Sequence, residues 1–238
     1  MEHVLIAGGI YHEFERTSAI LADRFAALNL QTQVFAEPEA ALRALAASGN
    51  CKLLTVNALR FSMTQHEKYA PLRDEWAFRL SSEGRETLTN YVSRGGSLLG
   101  LHTASICFDD WQEWGSILGA QWIWGRSFHP PAGKVQVEPV ADTDPLTSGT
   151  ESFQVFDEVY HHLQVDPQAR PILRARTNGD GEFQPVMWTH RFGRGRIVYD
   201  SLGHGVDSIN EPTHRTILDR AAAWLVDSQA TVEGETHA

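Results

Sequence analysis

Histidine is the residue to follow in this chain, which carries eleven of them in 238 residues. The most telling one sits in Gly100-Leu101-His102-Thr103-Ala104, directly after Gly95-Gly96-Ser97-Leu98-Leu99. A glycine turn leads into an apolar run, which reads as a buried strand, and a helix start follows. Hydrolases with a G-x-Ser-x-G elbow present their nucleophile on such a strand-to-helix turn. Here the spacing and the small flanking residues are kept, but the elbow residue is an imidazole. Histidine nucleophiles mostly handle phosphoryl groups, and no phosphate-binding loop accompanies this one. General acid-base work or metal ligation is the chemistry expected of His102.

Other groups share this character. Gly8-Gly9 is followed by Tyr11, His12 and Glu13, and Ser201-Leu202-Gly203 leads to His204. Phe128-His129-Pro130-Pro131 holds an imidazole before proline, which favours an extended backbone at His129. In Phe156-Asp157-Glu158-Val159-Tyr160-His161-His162, strand alternation would send Asp157 and Glu158 to opposite sides and put Tyr160 on the side of Glu158. Neighbours on a strand cannot chelate one ion together, so His161-His162 is set aside as a metal pair. Trp111, Trp114, Trp122 and Trp124 crowd together as core, flap packing or a sugar-binding platform, with Arg126 placed to hydrogen-bond a polar ligand.

The elements that must position these groups follow from periodicity. Val4–Ala7, Gln33–Ala36 and Leu53–Val56 read as strands, with helices at Thr17–Leu28 and at Glu39–Ala47, where Pro38 stands at the start. Ser82–Arg94 reads as a helix with Ser82 as N-cap. Ser97–Leu101 is a fourth strand, and Trp111–Leu118 a helix ending at Gly119. This alternation implies a parallel sheet with helices on both faces. Ala58–Leu80 has no clear period and reads as a flap or insertion. The second half reads as strands at Lys134–Val140, Glu158–Val165, Pro171–Thr177, Pro185–Thr189 and Arg196–Asp200, closed by a helix at Thr213–Val226. Residues 1–228 form one domain, and residues 229–238 a polar tail.

Ligands of such sheets bind outside the carboxyl ends of the strands. His12, Asn57, His102 and His204 all fall there, drawn from distant parts of the chain. Two or three histidines could hold a divalent ion such as Zn, Mn or Fe.

Composition narrows the class. A net charge of -10 argues against a nucleic-acid partner. No apolar run is long enough to span a bilayer, and the start lacks a basic signal region. Cys51 and Cys107 make neither a disulfide framework nor a metal motif, which fits a reduced cytoplasmic protein. Neither G-x-G-x-x-G nor a Walker pattern occurs, so no nucleotide cofactor is expected.

Gly100-Leu101-His102-Thr103-Ala104, Trp111-x-x-Trp114-Gly115, His129-Pro130, Asp157-Glu158-x-Tyr160, Pro185-Val186-x-Trp188, Gly193-x-Gly195-Arg196 and Leu202-Gly203-His204 occur in this order. That series resembles the ThuA-like (trehalose-utilisation) family over residues 3 to 227; His12-Glu13-Phe14 also resembles it, although the family more often has His-Asp there. The resemblance implies a class I glutamine amidotransferase-like, flavodoxin-like three-layer fold whose usual elbow cysteine is absent. It implies a role in the catabolism of a disaccharide or 3-keto glycoside. It also implies a pocket lined by His12, His102, His129, Glu158 and His204.

The site expected from all this has His102, Glu158 and His129 as catalytic groups. Tyr11, Glu13, Asn57, Trp124, Arg126 and Tyr160 would contact a small sugar substrate, and His12, His102 and His204 would hold a metal. Lyase, hydrolase and isomerase chemistry all use these parts. The alternative is a non-catalytic sugar-binding or regulatory module. A glutaminase reading fails, because the elbow here carries neither Cys nor Ser. Exposed flap tryptophans would suit a homo-oligomer.

Overall fold

The apolar runs become buried strands because helices cover both of their faces. In this computed structural model, which describes residues 2–141, 143–177 and 181–227, the chain begins with β1 (His3–Gly8), α1 (Phe14–Phe25), β2 (Thr32–Phe35), α2 (Pro38–Ala47) and β3 (Leu53–Ala58). A 3-10 turn at Glu67–Leu72 and the short α3 (Arg73–Trp76) precede α4 (Ser82–Ser93), β4 (Ser97–Leu101) and α5 (Gln112–Leu118). The strand-rich half follows as β5 (Ala120–Gln121), β6 (Gly133–Pro139), β7 (Phe153–Asp157), β8 (Gln164–Val165), β9 (Arg170–Thr177), β10 (Gln184–Phe192) and β11 (Gly195–Asp200). Helices α6 (Val206–Asn210) and α7 (Pro212–Val226) close the described chain.

One nine-stranded sheet runs in the order β2-β1-β3-β4-β11-β10-β9-β6-β7. It is parallel from β2 to β11 and antiparallel from β11 to β7. Alternate residues of β1 feed two cores. Leu5 and Ala7 pack with Phe25, Leu218 and Leu225 on one face; Val4 and Ile6 pack with Leu42, Leu88 and Trp114 on the other. No described helix is long and apolar enough to cross a membrane.

Three local expectations change. The cap of α4 is Ser81, not Ser82: Ser81 is extended, and its hydroxyl accepts the Gly84 N–H at 3.0 Å. The strand expected at Glu158–Val165 does not form. β7 ends at Asp157, and only Gln164–Val165 is extended, paired with β5. The physical reason is the Asp157 carboxylate, which captures the Glu158 N–H at 2.7 Å and so bends the chain out of the ladder. Nor are the tryptophans exposed. Trp111, Trp114 and Trp122 are buried, so they give no support to an oligomer contact. Residues 229–238 lie outside the described residues.

The aperiodic stretch after β3 folds over the sheet edge as a wall. Its Phe61, Met63 and Tyr69 form a third apolar cluster with Trp122 and Tyr160.

Candidate active site at the carboxyl edge of the sheet

The elbow is a true sharp turn. Leu101 ends β4, and His102 adopts a φ of +43°, a left-handed conformation that costs a non-glycine residue about 1–3 kcal/mol. Surrounding bonds hold it there. The Tyr199 hydroxyl donates to the His102 carbonyl at 2.6 Å, and Thr103 Oγ1 donates to the Ala58 carbonyl at 2.6 Å. Gly100 leaves room for its neighbours: a Cβ would stand 2.5 Å from Leu118 Cδ1, which would have to shift. His102 Nδ1 lies 2.7 Å from the Ser201 carbonyl. A carbonyl only accepts, so Nδ1 carries a proton, and the neutral form of the ring has its lone pair at Nε2.

His12 is placed in the same way. Gly8 and Gly9 have φ of +119° and +139°, and a Cβ on Gly9 would meet the Leu59 carbonyl oxygen at 2.5 Å. This turn brings His12 back over the sheet edge, where Nδ1 donates to the Ile10 carbonyl at 3.0 Å. Its lone pair is therefore also on Nε2, 3.2 Å from His102 Nε2. Burial, joined by the neighbouring imidazole of His102, drives the His12 pKa down to about 3. The ring is neutral at physiological pH, and two lone pairs face each other with no proton of their own to share.

Glu158 and His204 complete the group. Glu158 Oε2 lies 3.5 Å from His102 Nε2 and 3.5 Å from His204 Nδ1. Burial alone would raise the Glu158 carboxyl, but the imidazoles of His102 and His204 hold it well below the usual carboxylate range. The Glu158 carboxylate beside it raises the pKa of His204 in turn. His204 Nδ1 is buried and has no well-formed hydrogen bond. One ligand atom from each of His12, His102, Glu158 and His204 lies within 4.8 Å of the other three. Three imidazoles, a carboxylate, two opposed lone pairs and an orphaned ring nitrogen form a donor set that fits a divalent metal ion.

Beside this group opens a cavity of about 270 Å³. Tyr11, His12, Trp124, His129, Glu158, Tyr160 and His204 are among the residues that line it. Tyr160 and Glu158 do share a side, although an irregular segment rather than a strand brings them together. His129 Nδ1 lies 3.0 Å from the Pro130 carbonyl and 3.3 Å from Glu158 Oε1, which leaves its Nε2 as the free lone pair. His102 is only 1% exposed and stands behind the wall, reached through His12 and Tyr160.

Three expected residues stand apart. Asn57 is buried and donates through Nδ2 to Thr17 Oγ1 and Ser18 Oγ, both at 2.9 Å, so it ties β3 to α1. Arg126 is exposed and does not line the cavity. Glu13 is exposed, pairs with Arg16 and accepts the Val206 N–H at 3.4 Å. His161 and His162 stay outside, packed against Phe128. Sequence reasoning missed Phe61, Lys68 and Tyr69 in the wall, and above all Asp157. The Asp157 carboxylate accepts the N–H groups of Gly203 at 2.7 Å and His204 at 3.3 Å as well as that of Glu158. It thus joins the two segments that carry Glu158 and His204. Cys107 is a core thiol, pushed up by burial to about 12, and is no substitute nucleophile.

A mixed α/β sheet with an imidazole-bearing elbow and a histidine-carboxylate cluster at its edge defines the class of protein. The trehalose-utilisation family profile matches residues 32–225, and the chain belongs to that family. Among solved structures, a ThuA-like protein from Parabacteroides merdae ATCC 43184 superposes with a TM-score of 0.74 at 16% identity, covering 95% of this chain and 90% of that one. A ThuA-like protein from Bacteroides uniformis ATCC 8492 gives 0.68 at 16% identity, covering 95% and 92%. A GH42 beta-galactosidase from G. stearothermophilus gives 0.59 at 14% identity, with 94% of this chain matching 30% of that one. These likenesses establish the fold. No curated protein matches in sequence.

Proposed function

We propose that this protein is a sugar-catabolic enzyme acting on a 3-keto glycoside or related disaccharide derivative, with a divalent metal held by His12, His102, His204 and Glu158. The observation that carries the reading is the convergence of these four side chains beside a cavity walled by Trp122, Trp124 and Tyr160. A neutral sugar needs hydroxyls, amides and aromatics for binding alone; it does not need opposed imidazole lone pairs. Membership of a trehalose-utilisation family supports the substrate class.

A divalent ion held by these residues would supply Lewis acidity toward a substrate carbonyl. The remaining work falls to the chain. A 3-keto group acidifies the adjacent C–H, and the unprotonated Nε2 of His129 is the base that can take that proton. The Glu158 carboxylate beside His129 Nδ1 stabilises the imidazolium so formed. Aromatic walls exclude water and receive the apolar face of the ring. His102, being behind the wall, serves as ligand rather than as base. Two unbridged cysteines are consistent with a reducing compartment such as the cytoplasm, and that is the compartment we propose.

The test is turnover of a 3-keto glycoside followed by NMR, with and without added divalent metal, for wild type, His129→Ala and Glu158→Gln. Losses of about 100-fold or more in both variants are expected for acid-base groups. Undiminished turnover in either, or a 3-keto glycoside bound and recovered unchanged by metal-loaded wild type, would overturn the reading.

A further inference from the structure

Tyr160 is fully buried, yet its hydroxyl is not idle. Oη lies 3.1 Å from His102 Nε2. Because His102 Nδ1 is committed to the Ser201 carbonyl at 2.7 Å, Nε2 is the acceptor and Tyr160 O–H the donor. The phenol proton therefore occupies the same lone pair that the metal reading assigns to coordination. One lone pair cannot serve both.

We propose that Tyr160 is a switched donor: metal binding displaces its proton from His102 Nε2 and frees the hydroxyl to donate to a substrate oxygen in the adjoining cavity. The inference rests on the metal reading and adds a residue that touches substrate. Three observations support it. The Tyr160 side chain lines the cavity together with Glu158, His129 and Trp122. Its ring is fixed by packing, 4.8 Å from the His102 ring and 5.2 Å from Trp122, so the hydroxyl can reorient while the ring stays. And a buried hydroxyl that loses its acceptor is left at a cost until another acceptor arrives. A ketone or glycosidic oxygen entering the cavity is such an acceptor. Metal and substrate would then favour each other, through one proton that changes partner.

Zn²⁺ affinity of wild type and Tyr160→Phe, measured by competition with a chelator, tests this. The Phe variant keeps the ring and lacks the competing proton, so it should bind Zn²⁺ more tightly by about fivefold, the worth of one hydrogen bond that no longer has to be broken. Equal or weaker affinity in a folded Tyr160→Phe protein would overturn the proposal. A second measurement needs no variant: on adding Zn²⁺, wild type should show a tyrosine ultraviolet difference spectrum, as the buried phenol loses its imidazole acceptor. Zn²⁺ bound with no tyrosine signal would also overturn it. Zn²⁺ bound by neither protein would remove the metal reading itself, an outcome distinct from binding that ignores Tyr160.

Discussion

His12 Nε2 and His102 Nε2 face each other at 3.2 Å, each imidazole turned that way by a backbone carbonyl on its Nδ1. With both rings neutral neither nitrogen has a proton for the other, and a cation beside them is the partner the proposed site would add. Purified protein should take up a divalent ion in near-stoichiometric amount, read by elemental mass spectrometry, and His102→Ala and His204→Ala should lose it. At 100 times Kd the ion should raise wild-type stability by about 2.7 kcal/mol, seen as a higher Tm. Equal Tm with and without metal would count against the site.

Asp157 is the hub that joins the segments carrying Glu158 and His204. Replacing it with Asn puts an N–H₂ group where a carboxylate oxygen now accepts a backbone N–H. We expect Asp157→Asn to cost about 1–3 kcal/mol in stability through a buried unmet donor. Metal affinity should fall 10- to 100-fold, although Asp157 is not itself a ligand. Urea unfolding and a metal titration separate the two effects.

Two buried histidines should give opposite pH dependence. His3 accepts no charge: burial lowers its pKa to about 4 while Thr32 and Thr55 hydroxyls lie within hydrogen-bond distance of its ring nitrogens. Its folded pKa is below the unfolded value near 6.5, so its contribution is present above pH 6.5 and is lost as pH falls toward 4. His214 is also buried, which alone would lower it, but the Asp200 carboxylate at 2.7 Å from Nε2 raises it. Its contribution is full below about pH 6.5 and is lost as pH rises through the raised folded value. Stability curves of His3→Gln and His214→Gln against pH should therefore diverge from wild type in opposite directions.

Gly9 tests the turn that delivers His12. Gly9→Ala adds a Cβ that meets Leu59 backbone atoms at 2.5–3.0 Å with φ at +139°. It should destabilise by more than about 1 kcal/mol and weaken metal uptake. Gly49→Ala, whose Cβ meets nothing within 4 Å, is the matched control and should leave uptake unchanged.

The elbow was legible because its signals are local: a glycine turn, an apolar run and small residues around His102. His204 was legible because it follows an apolar strand to the same edge. Asn57 shows where that logic stops. The end of a strand gives a residue its place but not the direction of its side chain, and Thr17 and Ser18 claim Asn57 from across the sheet edge. Asp157 shows a different limit. Strand alternation does not reach Glu158, because β7 ends at Asp157, and what Asp157 holds is the Gly203-His204 loop, far along the chain and invisible to any period. Lys68 and Tyr69 lie in a stretch whose conformation depends on contacts with Phe61 and Trp124 rather than on its own pattern. The same absence of period marked the stretch as something other than a regular element.

The four candidate ligand side chains are spread along the chain from the loop after β1 to the loop after β11, and no short fragment contains more than one of them. A bound ion would therefore act as a clasp between the parallel and antiparallel halves of the sheet. Proteolysis should report it: cleavage at the loops bearing His12 and His204 should slow together when metal is present, while the turn at Gly193-Arg194, on the opposite edge, stays as susceptible as before. Because the clasp closes only after β11 is in place, a chain interrupted before that strand has no such site to offer, and metal capture would mark completion of the fold rather than guide its early steps.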